Sequence, residues 1–345
     1  MQIESLTPSL ADAYEAYVAH HPAGLFYYGL RFKRFLEDLL ACGSDYRLAV
    51  DDGAVRGVLP LMVLDRDGRR LYNALPFYGS HGAPLADDAD ARRALVASYN
   101  ETAAEANAAA ATMVGNPLDA GGTVDGVVHT HQDQRIGQWT PLPAEDDRRE
   151  ALMARIDSSA RRNIRKAHRQ GVTVRTDPEA LDHLETLHRS GMAAIGGRAK
   201  APRFFALLPQ HFEPGAHFDL YVAERDGYRL AALLIFYFRD VVEYYMPVND
   251  PDHRSLQPMA AILFEAMVQA AERGFRWWNW GGTWPSQEGV YRFKKKWAAE
   301  ERPYTYYTQV NDPSLLEATP AALRDRFGNF YVLPFAALKG DSHEP

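Results

Sequence analysis

Cysteine is almost absent from this sequence, because Cys42 is the only one among its 345 residues. A single thiol excludes an intrachain disulfide framework and any zinc site built from cysteines. We interpret Cys42 as a core or loop residue, with a nucleophilic role as the minor alternative. With 46% hydrophobic residues, the chain is long and apolar enough to fold on a large core.

Long apolar runs and a basic excess are also missing. No stretch of about 18 apolar residues occurs, so we expect no membrane span. The opening segment MQIESLTPSLADAYEAY lacks a basic region followed by an apolar one, so we expect no signal peptide and a cytoplasmic protein. A net charge of −7 argues against coating of nucleic acid in bulk, and we do not expect DNA as a partner.

The two halves of the chain repeat one pattern. AVDDGAVRGVLPLMVLDRDGRRLY and VAERDGYRLAALLIFYFRDVVEYY both read as strand, acidic turn with glycine, long apolar strand, short turn and strand. A helix and a further strand follow in each half. The polar stretch 141–149 suits a junction, so we predict two similar domains, 1–145 and 146–345. The expected fold class is α/β (α+β), with mixed central sheets flanked by helices.

Local patterns predict the individual elements of the first half. Residues 7–40 have a rough helical period, and the alanine-rich run 91–111 predicts a helix. Residues 54–64 read as one long strand, and residues 124–131 as another. In the second half, the clearest helices are 158–170, ending before Gly171, and 257–273.

Four segments of the second half carry unusual chemistry, and the most concentrated is NWGGTWPSQEGVYRFKKKWAAE, residues 279–300. It joins a strand rich in tryptophan to a Gly-Gly pair, a loop, and a Phe-Lys pair. A strand that ends in glycines with a short helix behind it is a common way to build a ligand cleft in α/β proteins. The other segments are RRNIRKAHRQGV (161–172), GGRAKAPRFF (196–205) and YYMPVNDPDHRSLQPMAAILFEAM (244–267).

These segments, in this order, resemble the GNAT superfamily and its doubled FemA/FemB/FemX-like branch, which includes the peptidoglycan bridge-forming aminoacyl transferases. The first half matches only as a pattern, including VRGVLPLMV and the loop LPFYGSHG. The resemblance implies two tandem GNAT-like domains. It also implies an acyltransferase that moves an aminoacyl group from aminoacyl-tRNA to an amine or hydroxyl acceptor on a small molecule or cell-wall precursor. No cofactor is implied.

The resemblance places the chemistry at Phe293 and Lys294. A fixed ammonium stabilises the negative oxygen of a tetrahedral intermediate, and an aromatic neighbour orients the acyl chain and excludes water. The alternative makes Lys294 part of a solvated lysine run and Phe293 a core residue. The general base stays open between Glu243, Glu288 and the substrate itself.

Substrate-binding residues are expected around this pair. Arg198 follows two glycines in a loop and suits a bidentate grip on phosphate, with Arg203 a weaker version of the same idea. The other expected contacts with substrate are Tyr244, Tyr245, Asn249, Trp280 and Gly281, and in the first domain Tyr78 and His81. Core aromatics and a turn asparagine are the alternative interpretation.

Basic residues on the helix 158–170 and after Lys294 are the candidates for contact with tRNA or another phosphate. They are Arg161, Arg162, Arg165, Lys166, Lys295 and Lys296. A stripe of cations on a helix can steer a polyanion, and a solvated amphipathic face is the equal alternative.

The sequence departs from the family in three places, two of which bear on the donor. Some relatives dock tRNA with a long helical arm, and this sequence has no long charged heptad stretch that would form one. Ala298 stands where the family often has glycine. The helix entry Arg254-Ser255-Leu256-Gln257-Pro258 lacks the glycine-rich turn with which GNAT proteins bind the pyrophosphate of acetyl-CoA. Proline has no N–H to donate, so the entry argues against coenzyme A at the usual place.

Two other functions remain open. One is N-acylation from acyl-CoA or an acyl carrier protein, in a polysaccharide or natural-product pathway. The other is a non-catalytic module that binds a saccharide or nucleotide, for which Trp277, Trp278, Trp280 and Trp284 would provide stacking surfaces. His129 and His131 share one side of a predicted strand, but no third ligand accompanies them and we expect no metal site.

Overall fold

The structure is a computed structural model that describes residues 1–76, 81–284 and 286–330, together with Pro334, Ala337 and Leu338. It divides into two compact units, one formed by residues 1–136 and 302–345 and the other by residues 137–301. The sequence places the division between residues 145 and 146. It also assigns the last 44 residues, 302–345, to the second half, whereas they belong to the first unit here.

The first unit contains two sheets. Its elements before the chain leaves it are β1 (Gln2–Ser5), α1 (Ala11–His20), α2 (Leu30–Leu40), β2 (Gly43–Ser44), β3 (Arg47–Asp51), β4 (Ala54–Leu59), β5 (Met62–Arg66), β6 (Arg69–Asn73), β7 (Leu85–Ala86), α3 (Ala89–Ala103) and β8 (Ala108–Val114). One sheet has the order β1-β3-β4-β7, and in the other β8, β6, β5 and β2 follow one another. The β6–β8 pair is parallel.

The chain then forms the second unit, and its last strand and last two helices return to the first unit. The elements are β9 (His131–Pro141), α4 (Arg148–Arg155), α5 (Ser158–Arg169), β10 (Thr173–Thr176), α6 (Leu181–Ala194), α7 (Pro202–His211), β11 (Phe218–Arg225), β12 (Tyr228–Phe238), β13 (Val241–Asn249), α8 (Pro258–Glu272), β14 (Trp277–Thr283), α9 (Glu288–Lys295), β15 (Glu300–Val310), α10 (Ser314–Glu317) and α11 (Pro320–Phe327). In the second unit, β10 to β14 lie in sequence order. They are antiparallel except for the β13–β14 pair.

The predicted mixed α/β class is confirmed, and the second unit closely follows its sequence pattern. One acidic turn joins β11 to β12 as expected, with positive φ at Asp226 (52°) and Gly227 (77°). Helix α8 is buried on nearly all sides and packs against β11, β12 and α5. Asp157 caps α5 by accepting a hydrogen bond from the Ser159 backbone N–H at 2.7 Å.

Four predictions for the first unit are wrong in identifiable ways. The helix predicted over residues 7–40 is interrupted between α1 and α2, where Pro22 and Gly29 lie. The single strand predicted over residues 54–64 breaks at Pro60, so β4 and β5 enter different sheets.

The alanine-rich run is the third error. Helix α3 ends at Ala103, and Ala108 to Ala111 begin β8, where each is at most 2% exposed. Strand β8 lies between β6 and β15, so complete burial in a sheet overrides the helical propensity of alanine. The strand predicted over residues 124–131 is the fourth error, because residues 124–130 lie outside the described strands and β9 begins at His131.

Two neighbouring glycines in the first unit provide a test of packing. Gly121 (φ 63°) and Gly122 (φ 77°) share a left-handed backbone, but a Cβ at Gly122 would lie 2.1 Å from the Pro303 carbonyl oxygen, whereas one at Gly121 meets nothing within 4 Å. We expect Gly121→Ala to lower the free energy of unfolding by about 1 kcal/mol. Gly122→Ala should cost roughly 2 to 4 kcal/mol, because the steric clash adds to the backbone strain. Urea denaturation of both variants measures the difference, and equal losses would contradict this packing.

Candidate active site

The candidate site lies where two neighbouring strands of the second unit separate. The parallel pairing of β13 with β14 runs from Val241 and Trp277 to Glu243 and Asn279, although both strands continue beyond that point. Asn279 closes the paired part, since its Nδ2 donates to Glu243 Oε2 at 2.8 Å and its Oδ1 accepts from the Gly281 N–H at 2.8 Å. The two strands therefore separate beyond Asn279.

Tyr244 and Tyr245, which the sequence analysis grouped together, lie on different sides of β13, next to a bulge in this strand. The register to β12 shifts at Tyr245, and Tyr244 and Tyr245 contact different groups. The Tyr244 ring lies 4.9 Å from Trp280, whereas the Tyr245 ring stacks nearly parallel on Phe204 at 5.9 Å. Adjacent residues of a strand face opposite sides of the sheet, so the two tyrosines belong to different surfaces.

Lys294 lies on α9 and is only 4% exposed. Its Nζ donates to the Gly282 carbonyl at 3.1 Å and to Thr283 Oγ1 at 2.7 Å, both at the end of β14. No carboxylate of the described residues lies within 4.0 Å of this ammonium, and burial lowers its pKa to about 8. The alternative that made Lys294 part of a solvated lysine run is wrong, and a buried lysine with a lowered pKa is typical of a functional site.

Strand β9 fixes α9 against β14 through two polar side chains. Gln138 accepts from the Thr283 hydroxyl at 2.8 Å and donates to the Tyr291 carbonyl at 3.1 Å. Thr140 donates to the Trp297 carbonyl at 2.8 Å and accepts from Trp280 Nε1 at 2.9 Å. These four bonds are buried or partly buried, and they hold the helix that carries Lys294.

Phe293 has an open face, since it is 37% exposed. Its ring meets the edge of Trp280 at 6.1 Å, and Trp280 itself is only 3% exposed. Trp278 is fully buried. Phe293 is thus an accessible aromatic side chain beside Lys294, whereas Trp278 and Trp280 form core and cannot stack on a saccharide. Gly281 is partly buried with φ of 73°, and a Cβ added there would meet nothing within 4 Å.

A cavity of about 240 Å³ opens at the start of α8. Its lining comes from α5, the end of β13, the entry to α8, and the end of α9: Ala160, Asn163, Asn249, Arg254, Gln257, Pro258, Met259, Ala260, Phe293, Lys296 and Trp297. Pro258 occupies the first position of α8 and has no N–H to offer, as the sequence predicted. The cavity is lined by three of the expected residues, Asn249, Phe293 and Lys296, and also by Asn163, Arg254 and Gln257, which sequence reasoning missed.

The predicted phosphate contacts separate into two groups. Arg161 Nη1 donates to the Ile156 carbonyl at 2.8 Å, and Lys295 lies 3.5 Å from Glu301, so both have structural partners. Arg162, Arg165 and Lys166 lie on α5, the two arginines exposed and the lysine partly buried. Among the described residues, no carboxylate lies within 4.0 Å of these three side chains, of Lys296 or of Arg254.

Both carboxylates considered as general bases are held by neighbours. Glu288 is exposed and forms an ion pair with Arg292 at 2.5 Å, and Glu243 is 1% exposed and bound by Asn279. Arg198 and Arg203 are exposed near the start of α7. The structure does not place either arginine against Lys294 in any described hydrogen bond.

Lys200 is a further residue that the sequence analysis missed, although it lies in the GGRAKAPRFF segment. Its ammonium lies 5.1 Å from the Phe204 ring and 5.4 Å from the Tyr245 ring, and its backbone N–H donates to His188 Nε2 at 3.0 Å. Burial lowers the pKa of Lys200 to about 7. Its position two residues after Arg198, in a segment already singled out, was the feature of the sequence that could have identified it.

The lowered pKa of Lys200 predicts selective labelling. At pH 7 about half of Lys200 is the neutral amine, whereas an ordinary lysine of pKa about 10.4 is neutral in roughly 0.04% of molecules. We expect an amine-acylating reagent to modify Lys200 roughly tenfold or more faster than Lys166, with the rate falling as the pH drops below 7. Peptide mass spectrometry measures both rates. Equal rates for the two lysines at pH 7 would contradict the assignment.

The first-unit candidates have less support. Tyr78 lies outside the described residues. His81 is 1% exposed, donates from Nδ1 to the Gly115 carbonyl at 3.0 Å and meets the edge of Tyr304, and burial lowers its pKa to about 3. It is therefore a neutral core histidine with no open face. Cys42 is partly buried, and burial raises its pKa to about 12, as suits an unreactive thiol.

Neither metal chemistry nor a membrane span has structural support in the part of the chain that is described. No group of three or more His, Cys, Asp or Glu side chains there is arranged to hold an ion. Within the same residues, no helix has the length and apolar character needed to cross a bilayer.

One family model matches part of the second unit. Residues 154–295 match the family model described as acetyltransferase (GNAT) domain, and this range contains α5, β13, β14 and Lys294. A search of curated proteins found no match.

Several solved structures share the fold over nearly the whole chain. FemX has a TM-score of 0.68 at 15% identity, covering 91% of this chain and 98% of its own. The C-terminal domain of a putative lysylphosphatidylglycerol synthetase from Agrobacterium fabrum has a TM-score of 0.56 at 14% identity, covering 92% and 96%. A tandem GNAT protein from the clavulanic acid biosynthesis pathway has a TM-score of 0.53 at 14% identity, covering 90% and 98%. At these identities the likeness is one of fold.

Proposed function

We propose that this protein, a GNAT-superfamily acyltransferase with a FemX-like fold, takes an aminoacyl group from aminoacyl-tRNA. The acceptor would be an amine or hydroxyl on a small molecule or cell-wall precursor. The observation that carries the proposal is the buried Lys294, held at the point where β13 and β14 separate and next in sequence to Phe293, whose ring is accessible.

Lys294 has the properties that acyl transfer from an ester requires. Attack by the acceptor on the ester carbonyl carbon places negative charge on the carbonyl oxygen, and collapse of this intermediate expels the ribose oxygen of the tRNA. A preorganised ammonium in a site with little water stabilises the first charge. With a pKa of about 8, the same ammonium is charged at neutral pH and acidic enough to protonate the leaving oxygen.

Phe293 would orient the aminoacyl side chain. Phe293 precedes Lys294 in the sequence, and its side chain lines the cavity at the start of α8. An aromatic surface there would bind the acyl group by contact and keep water from the ester. The attacking group would lose its proton to the substrate or solvent, because Glu288 and Glu243 are both held by other residues.

The choice of donor rests on how phosphate would be bound. Pro258 removes one of the backbone donors with which a helix start binds pyrophosphate. Side-chain cations remain instead, Arg254 and Lys296 in the cavity and Arg162 and Arg165 on the exposed surface of α5. A row of cations over a helix surface and a cavity fits a polynucleotide end better than one compact pyrophosphate.

Acyl-CoA is the second candidate donor, and one observation favours it. The cavity holds two cations at the start of α8, which is enough to bind a single pyrophosphate through side chains. The saccharide-binding module loses two of its four stacking surfaces, because Trp278 and Trp280 are buried, whereas Trp277 and Trp284 are partly buried.

Binding measurements separate the donors. Filter binding with a charged tRNA pool, at low and moderate salt, is compared with acetyl-CoA titrated by tryptophan fluorescence. We expect salt-dependent retention of charged tRNA and no saturable response to acetyl-CoA. Saturable binding of acetyl-CoA without retention of tRNA would assign the cavity to coenzyme A and overturn the proposed donor.

A further inference from the structure

The hydrogen bonds around Lys294 have one possible direction. A lysine ammonium only donates, so Thr283 Oγ1 is the acceptor of the 2.7 Å bond from Nζ. The Thr283 hydroxyl must then donate elsewhere, and Gln138 Oε1 receives that hydrogen at 2.8 Å. Gln138 Nε2 in turn faces the Tyr291 carbonyl at 3.1 Å, which accepts.

The orientation of the Gln138 amide follows from its two neighbours. If the amide were flipped, its oxygen would face the Tyr291 carbonyl oxygen, and the Thr283 hydroxyl hydrogen would lose its acceptor at Gln138. Gln138 and Thr283 are both 0% exposed, so water cannot substitute for either partner. The chain Lys294 to Thr283 to Gln138 to Tyr291 is thus fully determined.

We propose that Gln138 is a positioning residue that aims the Lys294 ammonium by fixing the direction of the Thr283 hydroxyl. Two of the three Nζ hydrogens are used by Gly282 and Thr283. The third tetrahedral position is the one left for a substrate oxygen, and its direction is set by the other two. This inference rests on the proposed catalytic use of Lys294.

Protonation of Lys294 changes only that third position. Both fixed bonds need a donor at Nζ, and the neutral amine still has two hydrogens to supply them. The third position carries a hydrogen in the ammonium and a lone pair in the amine. Because Nζ keeps its bonds to Gly282 and Thr283 in both protonation states, Lys294 can give up a proton at the third position without moving.

Thr140 provides a matched control on the same strand. It lies two residues from Gln138 on β9, is 1% exposed, and also joins β9 to the region of α9 through the Trp297 carbonyl. It makes no described hydrogen bond to Lys294 or Thr283. Loss of Thr140 therefore removes a similar structural contact without touching the chain that ends at Lys294.

The experiment measures the titration midpoint of Lys294 by NMR of protein labelled at lysine, with the signal assigned through Lys294→Arg. We expect Gln138→Leu and Thr283→Val each to lower the midpoint by about 0.5 pH unit or more, because the ammonium loses a fixed acceptor. Gln138→Glu should raise it, since a carboxylate stabilises the nearby ammonium. Thr283→Ser should restore the wild-type midpoint, and Thr140→Val should not move it.

The outcomes separate positioning from packing. If Gln138→Leu and Gln138→Glu both leave the midpoint where Thr140→Val leaves it, Gln138 is only structural and the inference is wrong. If Gln138→Leu does not fold, the midpoints of Gln138→Glu, Thr283→Val and Thr283→Ser test the inference without it. The titration needs no substrate, so its result stands even if the donor is not aminoacyl-tRNA. In a transfer assay, Gln138→Leu should lower kcat with little change in KM.

Discussion

Replacing Lys294 by methionine is expected to lower kcat for acyl transfer by roughly a thousandfold or more, while the protein stays folded. Loss of one preorganised donor to an oxyanion typically costs about a hundred- to a thousandfold, and Lys294 would also lose its role as proton donor. Methionine has nearly the same length and suits a site that is 4% exposed. Single-turnover transfer and urea denaturation measure the two effects.

The stability of the Lys294→Met variant follows from the sign of the pKa shift. Burial lowers the pKa of Lys294 to about 8, so the native state holds this proton less tightly than the unfolded chain does. The penalty is fully present below about pH 8 and is relieved as the pH rises toward the unfolded pKa. Methionine removes this penalty and leaves two acceptors unpaired, so we expect a free energy of unfolding within about 1 kcal/mol of the wild type at pH 7.

Lys295→Met is the matched control, because Lys295 is exposed on the same helix and pairs with Glu301. We expect it to retain kcat within a few-fold. The kcat of the wild type should fall as the pH rises through about 8, because the ammonium is the active form. A Lys294→Met variant that is folded and keeps the wild-type kcat would remove Lys294 from the chemistry.

Neutralising Arg162 and Arg165 together is expected to weaken the binding of charged tRNA by roughly ten- to a hundredfold. Each cation that contacts a phosphate contributes about 1 kcal/mol or more through release of counterions, and the slope of log K against log salt should fall by about 2. Both side chains are exposed on α5, so their change to glutamine should leave stability within about 0.5 kcal/mol. Filter binding over a range of salt concentrations measures both effects.

Arg189→Gln serves as the control for general charge. Arg189 is exposed on α6 and pairs loosely with Glu185, 3.9 Å away. We expect its loss to change tRNA affinity by no more than about twofold. Equal effects of the Arg189 variant and the α5 double variant would mean that α5 makes no specific contact with tRNA.

The sequence predicted best where a pattern is local. The β11–β12–β13 meander and α8 follow from apolar runs and acidic turns. The Phe293-Lys294 pair was singled out by the resemblance to the FemA/FemB/FemX-like branch. The splitting of Tyr244 from Tyr245 was also available from the sequence, since neighbours on a strand face opposite sides.

The features that could not be predicted from the sequence depend on contacts between residues far apart in the chain. Lys294 is buried because Gln138, more than 150 positions earlier in the chain, holds Thr283 and α9, and no local pattern marks that glutamine. His81 and the alanines of β8 are core residues for the same reason, since burial in a sheet is decided by partners far along the chain.

The proposed function depends above all on aminoacyl-tRNA as the donor, and a transfer assay decides this point. The purified protein is incubated with tRNA charged with radiolabelled amino acids and with a small-molecule fraction from a bacterial extract, and Lys294→Met is run in parallel. We expect label to move from acid-insoluble tRNA into a small product with the wild type and not with Lys294→Met. Transfer of label from acetyl-CoA in the same fraction, with every charged tRNA left intact, would contradict the proposed donor.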